Sequence, residues 1–143
     1  MKDTLRAGLR HEHRFTVTAG KTVPALYPEA AEFRVMPEVF ATGFMVGLLE
    51  WACIDAIRPH LDGPHEQSVG TRIDVTHEAA TPPGLTVTVV VEVVAVEGKK
   101  LAFDVSAHDG VDTIARGRHE RFVIDRAKFD ARLAAKVARV AGG

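Results

Sequence analysis

Hydrophobic positions along the chain change period more than once, and each change predicts an element. From Val39 to Ile54 apolar residues run almost without interruption, broken only by Thr42, Gly43, Gly47 and Glu50. Such a run predicts a buried helix over about 38–58, stopped by Pro59, which has no amide hydrogen to continue the ladder. From Val69 the period is two. Val69, Thr71, Ile73, Val75 and His77 fall on one face of a strand, and Gly70, Arg72, Asp74 and Thr76 on the other. After a Pro82-Pro83-Gly84 turn, the β-branched stretch Leu85–Val96 predicts a long strand. Glu97-Gly98-Lys99 then turns the chain into Leu101–His108, and Asp109-Gly110 turns it into Val111–Ile124. A stripe of Phe129, Leu133 and Val137 predicts a terminal helix from Arg126 to about Arg139, capped by Asp125. At the other end, Arg14–Val17 reads as a short first strand. Lys21–Pro37, punctuated by Pro24, Pro28 and Pro37, reads as a loop.

The order is thus a short strand, a buried helix and four long strands expected to form an antiparallel meander. A helix apolar on nearly every side needs wrapping, and a long curved sheet supplies it. The fold class is α+β, with a long antiparallel sheet around a central apolar helix, which is the hot-dog arrangement. Two such sheets joined edge to edge in a homodimer would also hide an exposed edge.

Composition narrows the class. With 143 residues, one domain over 1–143 is expected. A net charge of -1 without blocks of one sign gives no footing for nucleic acid or an anionic membrane. Cys53 is the single cysteine, so no internal disulfide can form, and a reducing, cytoplasmic setting is expected. Residues 1–6 lack the apolar core of a signal peptide, and Glu50, Asp55 and Arg58 interrupt the one run that approaches a membrane span.

Glu50 is the first chemical candidate. In a helix it shares a face with Val46 and Ile54. A carboxylate among apolar neighbours is paired, protonated or at work, because burying an unpaired charge is costly. It suits a nucleophile or a general base; a carboxylate paired for stability alone has the same pattern. His77, on the inward strand face, suits an acid/base partner, although a satisfied core histidine has that pattern too. Thr42 at the helix start is either a cap or a hydroxyl donor. It stands eight residues from Glu50, about 12 Å along a regular helix, so the two cannot touch directly. A distorted helix start, a bridging substrate or water, or a second subunit would be needed. Gly70 within a strand marks either a bulge or a place where a ligand meets the backbone N–H. No metal is expected, since neither His-Glu-x-x-His nor paired cysteines occur. His11 and His13 are assigned to a mobile terminus.

Several stretches carry a resemblance to a known family: Leu26-Tyr27-Pro28-Glu29, Pro37 to Leu48, Glu50-Trp51-Ala52-Cys53, Ala80 to Val89, Ser106 to Asp112 and His119-Glu120-Arg121. Through them the chain resembles the fluoroacetyl-CoA thioesterases, acyl-CoA hydrolases of hot-dog fold. The resemblance implies hydrolysis of a short-chain acyl-CoA, with coenzyme A as part of the substrate and no cofactor. It implies Thr42, Glu50 and His77 as a catalytic triad and Gly70 as the backbone donor near the thioester. Phe33 stands as a lid aromatic over the acyl pocket, and Arg121 matches a family arginine. Where the family's fluoroacetyl enzyme has a second lid phenylalanine, this chain has Met36, a flexible side chain that fills space differently from a ring. A hot-dog enoyl-CoA hydratase or dehydratase, and a non-catalytic acyl-CoA-binding module, are the alternative readings.

Overall fold

The structure is a computed structural model and describes residues 1–142. Five strands form one antiparallel sheet: β1 (Arg10–Thr16), β2 (Glu66–Val75), β3 (Thr86–Glu97), β4 (Lys100–His108) and β5 (Thr113–Asp125). A single-turn helix α1 (Ala31–Arg34) precedes the central helix α2 (Thr42–Ile57), and α3 (Arg126–Gly142) closes the chain. The helix expected over 38–58 therefore starts at Thr42, and Arg58–His60 continue as a 3-10 turn around Pro59.

Alternation decides which face of the sheet is buried. Val87, Val89, Val91 and Val93 of β3 and Leu101, Phe103, Val105 and Ala107 of β4 point inward. They pack against Met45, Leu49, Ala52, Cys53 and Ile57 of α2. Gly98, at φ +61, makes the tight turn between these strands. Asp109 closes the next turn by accepting from Val111 N and Asp112 N, and its other oxygen accepts from Thr81 Oγ1 at 2.8 Å. Asp125 caps α3 as expected, accepting from Lys128 N at 3.1 Å.

Three expectations need correction. The sheet order is β1-β3-β4-β5-β2, so only β3, β4 and β5 form a meander. The connection after β2 is a crossing rather than a hairpin: β2 lies at one edge against β5, while β3 lies beyond β4, beside β1. Local turn signals cannot distinguish the two, because both begin with the same breakers.

The second correction concerns β2. A register shift between Gly70 and Arg72 makes Thr71 an extra residue: Gly70 pairs with Arg121, Arg72 with Glu120 and Ile73 with His119. One inserted residue reverses the parity of everything beyond it. Gly70 therefore shares the inward side with Ile73, whereas strict alternation had set it on the other face.

The third is the N-terminus. Leu5 is buried, Gly8 N donates to Val93 O, and His11 and His13 belong to β1, which starts four residues earlier than expected.

Candidate active site

Glu50 lies on α2 as the sequence implied, but its face is not sealed. Met45, Leu48, Leu49, Ala52, Cys53, Ala56 and Ile57 take the side against the sheet. Val46, Glu50 and Ile54 share another side, and the Glu50 side chain remains 40% exposed. Its pairing is specific. Oε2 stands 3.5 Å from Nη1 of Arg121, whose side chain is only 3% exposed.

Arg121 is held on every nitrogen. Nε donates to Ser68 Oγ at 2.8 Å, Nη2 to the Ser68 carbonyl at 2.8 Å, and Nη1 to His119 Nε2 at 3.0 Å. A guanidinium has no acceptor, so Nε2 of His119 must be the unprotonated nitrogen. The proton then sits on Nδ1, which donates to the Arg72 carbonyl at 2.7 Å. Burial is the main cause that lowers the pKa of His119, which fits this neutral tautomer. The result is a chain of contacts from the β2 bulge through His119 and Arg121 to Glu50. Gly70 completes this group: a Cβ there would stand 3.2 Å from Glu50 Oε1, 3.3 Å from His119 Cε1 and 3.4 Å from Arg121 Nη1. The missing side chain gives the carboxylate its room.

Thr42 and His77 form a second group. His77 follows β2, where the chain still tracks β5 through Thr76 N to Arg116 O and Glu78 N to Ile114 O. Thr76 and Glu78 face outward, with Glu78 clasped bidentately by Arg116. His77 faces the other way and meets the first residue of α2, with Nδ1 2.7 Å from Thr42 Oγ1. Burial lowers its pKa against a smaller opposing effect of the Ala79 backbone, and its Nε2 is buried without a partner. Beside the pair opens a recess of about 280 Å³ lined by Val39, Phe40 and Ala79 among others.

Among the described residues no hydrogen bond or ion pair joins the two groups. Helix α2 runs unbroken from Thr42 to Ile57, so a distorted helix start does not bring Thr42 to Glu50. Phe33 is in α1, stacked on Tyr27 with centroids 5.9 Å apart, and Met36 is half-exposed just beyond it. Sequence reasoning missed His119 and Ser68. The signal for His119 was present: it lies two residues from Arg121, so β5 turns two basic side chains inward.

The family model for the fluoroacetyl-CoA-specific thioesterase matches residues 17–127. The chain belongs to that family. A fluoroacetyl-CoA thioesterase of Streptantibioticus cattleyicolor is 60% identical over 136 residues, covering 95% of this chain and 97% of that protein. A solved structure of the fluoroacetyl-CoA thioesterase superposes with a TM-score of 0.91 at 59% identity, covering 94% of this chain and 98% of the other. A Thermus thermophilus thioesterase superfamily member superposes with a TM-score of 0.84 at 28% identity, over 96% of each chain. Family membership bears out the expected hot-dog fold and the acyl-CoA thioesterase class. The hydratase and the non-catalytic binding module are set aside on the same ground.

Proposed function

We propose that this chain hydrolyses a short-chain acyl-CoA, fluoroacetyl-CoA among its substrates, at a site shared between two copies. The observation that carries the reading is the half-exposed Glu50 carboxylate, fixed by a buried arginine beside a strand position that has no side chain.

In this reading Glu50 attacks the thioester carbonyl carbon, and the Gly70 N–H stabilises the oxyanion. The carbon–sulfur bond breaks, coenzyme A leaves as its thiolate, and an acyl-Glu50 anhydride remains. Water, losing a proton to neutral His77, opens the anhydride and releases the free acid, and His77 passes that proton to the thiolate. General-base activation of water by Glu50 is the one-step variant of the same chemistry. Arg121 holds the carboxylate in line. Phe33 and Met36 cover the acyl group. No cofactor takes part, since coenzyme A arrives with the substrate. The 2.7 Å contact of Thr42 with His77 favours a second reading, in which His77 takes the hydroxyl proton and Thr42 is the nucleophile.

A homodimer would unite the two groups. Trp51 and Ile54 on α2 are 47% and 39% exposed, an apolar surface that invites a partner, and β2 is an open edge. Pairing β2 antiparallel with its copy about a two-fold axis sets the His77 end of one strand beside the Gly70 end of the other. His77 and Thr42 then face the partner copy's Glu50 group.

The test is thiol release from acetyl-CoA and fluoroacetyl-CoA. Glu50→Gln and Thr42→Ala should each lose activity, Glu50→Gln by about 10²-fold or more. Refolding the two variants together should restore roughly a quarter of wild-type activity, because mixed dimers carry one intact site. No recovery despite mixed dimers would place the site within one chain, and an unimpaired Glu50→Gln would remove Glu50 from the mechanism. Acyl adducts mapped by mass spectrometry on Glu50 or on Thr42 separate the two nucleophiles. Met36→Phe should raise the preference for fluoroacetyl over acetyl if a rigid lid sets selectivity.

A further inference from the structure

A third group of polar side chains converges on α2, well away from Glu50. His11 and His13 are two residues apart in β1, so both project from the face of the strand that turns toward the helix. Asp55 meets them from α2, about 140° around the helix axis from Glu50. One nitrogen from each imidazole and one Asp55 oxygen all lie within 4.8 Å of one another. His13 Nδ1 is already 3.1 Å from Asp55 Oδ2. The other carboxylate oxygen faces the Arg58 guanidinium. His13 Nε2 is buried and makes no hydrogen bond.

We propose that His11, His13 and Asp55 bind one divalent transition-metal ion, such as zinc or copper, that clasps the edge strand β1 to α2. Two imidazoles and a carboxylate are a donor set such ions accept, with water completing the shell. Ligand atoms about 2.1 Å from a tetrahedral ion stand about 3.4 Å apart, close to the spacing of His13 and Asp55. His11, half-buried at the sheet edge, closes the remaining distance by side-chain rotation. The ligating form of histidine is the neutral one. Arg58 does not oppose the ion: its side chain is 71% exposed, so it either steadies the outer carboxylate oxygen or swings into water.

Trp51 supplies the readout. It is the only tryptophan in the chain, and its ring centroid lies 4.3 Å from that of His13. Cupric ion bound at His13 should therefore quench the tryptophan fluorescence of the chelator-treated protein, saturating at one ion per chain. His11→Gln and Asp55→Asn, checked for native circular dichroism, should each weaken that binding about tenfold or more. Zinc should raise the Tm of the wild type by more than that of either variant. Quenching that does not saturate at one ion, or that is unchanged in both folded variants, overturns the site. So does a zinc shift of equal size in all three proteins.

Discussion

Arg121 and Glu50 form an unequal pair: the cation is sealed in the sheet and the anion is open to solvent. That asymmetry suits a reactive carboxylate, because the buried partner cannot move and the exposed one can meet a substrate. The fixity comes from Ser68, which holds two of the guanidinium nitrogens, and from His119, which holds the third. Its neutral Nδ1–H tautomer is imposed from both sides, by the Arg72 carbonyl that needs a donor and by the Arg121 guanidinium that needs an acceptor. His119→Phe keeps a ring of similar size beside Phe103 but leaves both groups without their partner. It should cost about 1–3 kcal/mol of stability and lower kcat more than it raises KM. His119→Gln, which can still donate and accept, should recover part of kcat. Thermal unfolding and steady-state kinetics of both variants check this, and a His119→Phe protein with wild-type kcat would show that the histidine only packs. Glu50 and Arg121 were legible as residues from the apolar run and the family motif. Their 3.5 Å contact was not, because it depends on the packing of α2 against the sheet, which brings together positions 71 apart.

At the scale of elements, the bulge in β2 matters most. The extra residue at Thr71 turns Gly70 inward, where any side chain would press on the carboxylate, the imidazole and the guanidinium together. Gly70→Ala should therefore fold, since the half-exposed Glu50 carboxylate, the nearest of the three, can yield by a few tenths of an ångström. It should displace Glu50 and lower kcat by about tenfold or more, with a change in Tm of only a few degrees. A variant with unchanged kcat would show that the carboxylate tolerates displacement. Hydrophobic period identified β3, β4, β5 and the central helix, because each buries an uninterrupted face, and it identified α3 from its apolar stripe although Leu133 and Val137 of that stripe remain exposed. It failed at β2, where parity is reset by one residue that no local composition marks. It failed again at the connection to β3, where a proline-rich turn serves a crossing as readily as a hairpin.

Across the molecule as a whole, three histidines among the described residues sit in environments that disfavour their charge: burial, the largest cause in each, lowers the pKa of His13, His77 and His119 from the ordinary histidine value. The unfolded chain binds protons at these sites at higher pH than the folded one. Stability is therefore full above about pH 6.5 and declines as pH falls below it. Carboxylates held below their usual range, such as Glu78 at about 2, lose their contribution only in stronger acid. Tm measured from pH 8 to 5 should begin to fall near 6.5 rather than near 4, and a flat profile to pH 5 would contradict the burial of these rings. The acid limb of hydrolysis should likewise lie below 6.5 if neutral His77 is the base. By itself the sequence determined the strand and helix periods, the one anomalous carboxylate and the family, because these follow from side-chain alternation and local motif. Only the tertiary structure decided the sheet order, the inward turn of Gly70 and the division of the site residues into two groups. The physical reason is that register and packing are set by residues far apart in the chain, whose pairing no local pattern encodes.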